Sequence, residues 1–140
     1  MHLTTVEQTV RARLITSDHP DLPIRPTLRY TSAEPFAVHI DFPAHVSADA
    51  EGVTWMFARA LLEEGLGTPA GGGDGDVRIR PHGWARTVIE FRSPLGLAMI
   101  RFSTAAVRRF LLRSYDVVEP GTEDLGPELD HGLAALLDEV

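Results

Sequence analysis

Ala85-Arg86-Thr87-Val88-Ile89-Glu90-Phe91-Arg92-Ser93-Pro94-Leu95-Gly96-Leu97-Ala98-Met99-Ile100-Arg101-Phe102 is the stretch that decides the fold. Ala85, Thr87, Ile89 and Phe91 share one parity, while Arg86, Glu90 and Arg92 share the other, which is the two-residue period of a half-buried strand. Ser93-Pro94-Leu95-Gly96 is turn chemistry, after which Ala98, Ile100 and Phe102 resume the alternation. Two alternating runs about a short turn make an antiparallel hairpin. Ser103 or Thr104 then caps a helix to about Ser114, with Val107, Phe110, Leu111 and Ser114 on one face and Arg108, Arg109 and Arg113 largely off it.

Upstream, Val77-Arg78-Ile79-Arg80-Pro81 alternates as a further strand. Gly67 to Gly75 is a nine-residue tract with five glycines, read as a flexible connector and the one plausible internal boundary. Before it, Thr4 to Ile15 alternates with Val6, Gln8, Val10, Ala12 and Leu14 in phase, Gln8 being the weak point of the apolar parity. Ser17 to Pro23 is turn-like, Thr27 to Tyr30 is extended, and Ser32 to Pro35 turns again. Phe36, Val38, Ile40 and Phe42 mark a strand, and Val53 to Met56 a fourth that runs into a short helix, Phe57 to Glu64, stopped by Gly65. Trp55, Phe36, Phe42, Phe91 and Phe102 fall at core parity, whereas Trp84 beside Gly83 is the large aromatic expected in solvent. A last helix is expected from Pro127, with Leu129, Leu133, Leu136, Leu137 and Val140 on one stripe.

Strands followed by a helix thus occur twice, on either side of the glycine tract. With no βαβ alternation to build a parallel sheet, the fold class is α+β: antiparallel strands then helix, repeated twice, with a C-terminal helix. The 140 residues fit one domain, 1–140, whose length needs no disulfide or metal to hold a core.

Charge is distributed unevenly. All 13 basic residues are arginine and none is lysine, which fits a genome rich in G and C; against 20 acids they leave −7. Residues 1–77 hold 5 Arg and 11 acids, residues 78–113 hold 8 Arg and only Glu90, and residues 114–140 hold 8 acids and no Arg. The total argues against a protein that coats nucleic acid or an anionic membrane. The +7 window keeps a basic surface in play. Within it Arg78 and Arg80 share a strand face, as do Arg86 and Arg92, and Arg101 has the outward parity of its own strand. With Trp84 they form the candidate partner or oligomer surface, with three readings in order: solvated or internally paired, bound to an acidic protein, bound to nucleic acid.

Catalytic and metal chemistry find no footing. Zero cysteines exclude thiolate catalysis, Cys-ligated zinc and disulfides. The six histidines, His2, His19, His39, His45, His82 and His131, contain no i, i+3 or i+4 pair and no HExxH arrangement, so neither metal nor other cofactor is expected. His39 reads as exposed or cross-strand paired. Asp74-Gly75-Asp76 lacks the rest of a calcium loop. Without lysine the Gly71-Gly72-Gly73 run cannot be a P-loop, and it precedes a strand, not a helix. No G-x-S-x-G elbow is present, and adjacent carboxylates such as Glu63-Glu64 diverge. The N-terminus carries no signal-peptide pattern, and no window approaches a membrane span.

Leu28-Arg29-Tyr30 with Glu34-Pro35-Phe36-Ala37-Val38 resembles the LRY…DPYAV signature of the SsgA-like proteins, the sporulation and cell-division proteins of filamentous actinobacteria. Val53 to Leu66 resembles that family's V-x-W-x-F-A/G-R-x-L-L-x-x-G-L block, and Pro69 with Gly75-Asp76-Val77-Arg78-Ile79 its P-x-G-x-G-D-V-x-I block. Ser93 to Ala98, Phe110 to Ser114 and Pro120 to Glu123 resemble its S-P-x-G-x-A, F-L-x-R-T and P-G-x-E elements. Thr31, Glu34, Phe36 and Ser114 depart from the common residues, and the glycine tract is two residues longer. The resemblance implies a whirly-like fold and a non-enzymatic adaptor that helps place the tubulin-like division GTPase FtsZ or cell-wall machinery at septa. It also implies a cytoplasmic protein whose partners are FtsZ or other SsgA-like proteins, and a homo-oligomer, a trimer by preference. Single-stranded nucleic-acid binding through the arginine face is the alternative function.

Overall fold

The computed structural model describes residues 4–15, 21–43, 52–73, 75–94 and 96–123. In chain order these form β1 (Thr5–Thr9), β2 (Ala12–Ile15), β3 (Leu22–Ile24), β4 (Thr27–Thr31), β5 (Ala37–Phe42), β6 (Val53–Ala58), α1 (Arg59–Gly67), β7 (Val77–His82), β8 (Arg86–Ser93), β9 (Gly96–Ser103) and α2 (Thr104–Val117). One sheet has the order β1-β4-β5-β6 and the other β3-β2-β9-β8-β7, and all the pairings are antiparallel. The α+β class and the strands-then-helix order are as expected. The expected helix from Pro127 lies outside the described residues.

The single strand expected over Thr4–Ile15 is two. Thr9 pairs with Thr27 and Ala12 with Ile24, so one ribbon register runs through both hairpin arms. The ribbon is divided at Val10-Arg11 and Arg25-Pro26, and its halves join different sheets. Val10 N–H still reaches Pro26 O across the bend at 3.0 Å, while Pro26 offers no donor to continue a ladder. The segment read as turn-like up to Pro23 therefore includes a real strand, β3, short and carrying its proline at the sheet edge.

The two sheets share a core. Trp55 of β6 and Phe42 of β5 meet Phe91 of β8 with ring centroids 5.0 and 5.6 Å apart, while Val38, Ile40, Ile79, Ile89, Ile100 and Phe102 are buried around them. The inward face of α2 is the expected one, Val107, Phe110, Leu111 and Ser114. Its N-cap is Ser103, whose hydroxyl accepts from the Ala106 amide. Gln8, the polar residue at a core parity, is satisfied: its amide donates to Ala106 O at 2.9 Å and its carbonyl accepts from Arg113 at 3.1 Å. Phe36 is a correction. It precedes β5 in the turn and is 59% exposed, because the pleat that would bury it begins one residue later.

The glycine tract also departs from expectation where it is described. Gly72 and Ile79 exchange both backbone hydrogen bonds, at 2.7 and 3.0 Å, so the tract runs against β7 as a single rung of ladder. A Cβ on Gly71 would sit 2.5 Å from Ile79 O, and one on Gly73 2.5 Å from Val77 O, and both residues have positive φ. Glycine is needed here for close approach and not for freedom of motion.

Candidate functional site

β7, β8 and β9 are neighbours, so the outward parities anticipated from sequence fall on one sheet face. In register, Arg80 lies across from Val88 and Val88 from Arg101; Arg78 lies across from Glu90; Arg86 faces His82 and Ser103; Arg92 faces Leu97. Arg13 of β2 extends the face beside Arg101. Val88 is only 2% exposed although it points away from the main core, and the side chains flanking it across both strands are arginines. Arginine stems lie along apolar surface with the charged heads in water, which accounts for that burial.

The face is partly neutralised from within. Arg80 Nη1 lies 2.6 Å from Glu90 Oε1, whose side chain is nearly buried, and Arg101 Nη2 lies 3.1 Å from Asp21 Oδ1. Arg78 and Arg92 are exposed with no side-chain partner among the described residues, and Arg86 reaches only the carbonyl of Ala85. Trp84 sits in the β7–β8 turn next to Gly83, whose φ is +73°, and is 96% exposed. The structure thus brings the five arginines together, leaves three without an acidic partner among the described residues, and puts Trp84 at the end of the same hairpin.

His39, on the outer face of the other sheet, is neither exposed nor cross-strand paired as expected: it is buried, with Nε2 3.4 Å from Glu34 Oε2 of the turn before β5, while the residues across from it are Arg29 and Met56. Beside it Arg29 donates twice to Asp41, at 3.1 and 3.2 Å, and Thr54 donates to the same carboxylate at 2.7 Å. The hydrogen bond from Arg29 leads the causes that hold the Asp41 carboxyl below its ordinary value. Among the described residues no three His, Asp or Glu side chains converge on a possible metal position. No helix among them is long and apolar enough to cross a membrane.

Sequence reasoning missed Arg59. It occupies the first position of α1, is fully buried, and is the largest side chain with no exposure. Nη1 donates to Ser114 O, Ser114 Oγ and Val118 O at 3.0, 3.3 and 2.7 Å, and Nη2 donates to Glu123 Oε1 at 2.7 Å. These acceptors lie at the end of α2, where the helix dipole is negative; Ser114 O already takes the Val118 N–H, and Arg59 adds a second donor to it and one to Val118 O, so Arg59 acts as a C-terminal cap from a different helix. Its guanidinium also lies 4.8 Å from the Tyr30 ring centroid and 5.0 Å from that of Tyr115. Burial pushes both phenols up to about 12, and the Tyr30 hydroxyl donates to Pro35 O at 2.8 Å. At Glu123 burial opposes ionisation, but the hydrogen bond from Arg59 prevails and the carboxyl lies below its ordinary 4.5.

A signal for Arg59 was present. A cation in the first turn of a helix faces the positive end of that helix's own dipole, so it must be held by something else. What it holds together are separate sequence blocks: Tyr30 and Pro35, Arg59 itself, Ser114, and Glu123. Each belongs to one of the elements that carried the family resemblance, and they meet at one guanidinium.

The comparisons agree with that convergence. Residues 24–123 match the family described as Streptomyces sporulation and cell division protein, SsgA. The sporulation-specific cell division protein SsgB of Streptomyces coelicolor is 44% identical over 138 residues, covering 94% of this chain and 97% of its own, and SsgB of Salinispora tropica is 42% identical over 96% and 94%. A solved structure of an SsgA-like sporulation-specific cell division protein from Thermobifida fusca superposes with a TM-score of 0.77 at 34% identity, covering 94% of this chain and 95% of the other. A second, solved in connection with SsgB mutations that correlate to longitudinal cell division during sporulation of Streptomyces coelicolor, gives 0.73 at 42% identity, covering 87% and 94%. With the family's motif blocks gathered at Arg59, its profile matched over most of the length and its fold reproduced, the chain belongs to the SsgA family of sporulation and cell division proteins.

Proposed function

We propose that the protein is a non-enzymatic adaptor in sporulation-linked cell division that helps place FtsZ or cell-wall machinery at septa. Its relatives are named sporulation-specific cell division proteins along nearly their whole length, and that likeness carries the reading. The contact surface is the outer face of β7, β8 and β9, with Arg78, Arg86 and Arg92 as unpaired cations and Trp84 as an anchor, since Trp and Arg dominate binding energy at protein interfaces. Arg80 and Arg101, held by Glu90 and Asp21, shape the face more than they bind. The partners are FtsZ or other SsgA-like proteins, and the protein works as a homo-oligomer in the cytoplasm.

The test is retention of purified FtsZ and of purified SsgA-like relatives on the immobilised protein, at low and physiological salt, with and without the triple change Arg78→Glu, Arg86→Glu, Arg92→Glu. Retention that the charge reversal abolishes is expected. If the unaltered protein retains none of them at low salt, and a fluorescent fusion stays away from septa, the adaptor reading fails.

One observation favours a second reading: a nearly fully exposed Trp beside a basic sheet face is the combination single-strand binders use for stacking and backbone contact. Glu90 in the middle of the face weighs against it. Fluorescence anisotropy with labelled oligonucleotides decides, because phosphate contacts impose a steep salt dependence.

A further inference from the structure

A sheet edge exposes backbone donors and acceptors, and folds blunt their edges with proline, charge, brevity or a covering segment. The two sheets here have four edges. β3 is three residues long and carries Pro23. β7 has its free edge occupied by the Gly72–Ile79 rung, and Pro81, two residues further on, has no amide to offer. β1 is met by α2: Arg113 donates to Glu7 O, one of the outward carbonyls of that strand. β6 is different.

Arg59 N–H donates to Phe36 O, which fixes the phase of the β5–β6 ladder. Val53, Trp55 and Phe57 therefore direct their backbone groups to β5, while Thr54, Met56 and Ala58 direct theirs away. Among the described residues no strand pairs with that side, and the strand contains no proline and no charge. The Thr54 and Met56 side chains are exposed, Met56 by 57%. Beside the edge runs an open groove whose apolar lining includes Met56, Phe57, Ala60, Leu61 and Val77.

We propose that the free edge of β6 receives an extended, uncharged peptide segment of a partner protein, added as a fifth strand to the β1-β4-β5-β6 sheet. Only an extended backbone supplies alternating acceptors and donors at the two-residue spacing that Thr54 and Met56 present. The lack of charge along Thr54–Ala58 matches an uncharged strand, and the groove takes its alternate apolar side chains. A polyanion finds no cation on this strand, and in the groove Arg78 and Arg80 are balanced by Glu64 and Asp76. The edge belongs to the other sheet from the arginine face, although Arg78 and Arg80 of β7 also line the groove beside it, and its occupation does not rest on the adaptor reading.

The test is amide-resolved NMR on the full chain with an acetylated Thr-Val-Thr-Val-Thr-Val amide. In the free protein the Thr54 and Met56 amides exchange quickly with solvent and those of Trp55 and Phe57 slowly; on adding peptide the first two shift and become protected. A peptide N-methylated at the positions that face β6 does not bind, whereas one methylated at the alternate positions does. Met56→Pro removes one outward N–H without touching the β5 ladder and weakens binding by about tenfold, the equivalent of one hydrogen bond. Thr54 and Met56 amides already protected in the free protein overturn the proposal. If that protection disappears on dilution, a second copy of the chain is the occupant, which overturns the assignment to a partner. Equal binding of both methylated peptides, or shifts confined to other strands, overturns it as well.

Discussion

Arg59 and the arginines of the β7–β9 face are the same side chain put to opposite uses. Arg59 is fully enclosed, with a carboxylate, three polar acceptors of α2 and two aromatic rings around it. Arg78, Arg86 and Arg92 stand in water with hardly a partner. A buried charge is tolerated only when every group around it is arranged to meet it, so Arg59 specifies the positions of α1, α2 and the Pro120–Glu123 turn. An exposed arginine specifies nothing locally and stays available for something outside the chain. Stability effects should separate the two groups sharply.

The largest effect is expected at Arg59. Arg59→Ala leaves Glu123 and the end of α2 without their counterpart and should cost about 3–5 kcal/mol in urea unfolding. Arg59→Lys should not rescue it, because an ammonium lacks the planar fork that spans Ser114, Val118 and Glu123. A loss below about 1 kcal/mol, the scale of an ordinary hydrogen bond, would mean that the node is not the organising centre described here.

Next comes the seating of β7, which carries two of the face arginines. Gly71→Ala places a Cβ against Ile79 O at a positive φ and should destabilise by about 1–3 kcal/mol. If the substituted protein is as stable as the original, the close approach of the glycine tract is wrong.

The third effect is acid sensitivity. Glu123 and Asp41 both have lowered carboxyl values in the folded chain, so the unfolded chain binds their protons first. Their contribution is complete above the ordinary values of 4.5 and 3.8 and disappears as pH falls through the lower folded values. Thermal melts from pH 6 downward should show a loss setting in near those values, and Glu123→Gln should flatten the part due to Glu123. An unchanged acid limb in Glu123→Gln would remove that carboxylate from the account.

The smallest change in stability belongs to the triple substitution Arg78→Glu, Arg86→Glu, Arg92→Glu, expected within about 0.5 kcal/mol for each site. Its consequence is confined to binding. A large loss of stability would instead show that these heads have structural partners and would erase the contrast with Arg59.

The fold was legible where periodicity was undisturbed. The β8–β9 hairpin, β5 and the inner face of α2 follow from alternation and helical spacing alone. Periodicity could not report the bend in the N-terminal ribbon, because Val6 to Leu14 stay in phase through it; only the pairing partners change. Phe36 was misplaced since parity says nothing of where a strand starts. The arginine face was legible because outward parity on adjacent strands defines it, although the Arg80–Glu90 and Arg101–Asp21 pairs depend on three-dimensional register. Arg59 was hidden for a different reason: its hydrogen-bond partners lie 55 or more residues away along the chain. The glycine tract was misread because composition alone cannot distinguish a loose segment from one pressed against a strand.

The bent ribbon also sets an order of assembly. β2 finds β3 within a few residues of chain, but its other neighbour is β9, with Ala12 opposite Phe102. On the ribosome the N-terminal sheet β1-β4-β5-β6 can complete itself while the chain is still being made, yet one side of β2 stays unpaired until residue 102 has emerged. Long-range pairing of this kind slows folding and leaves strand edges open to the wrong partner in the interval. Continuity of the ribbon between the sheets thus binds the last of the described strands to one of the first.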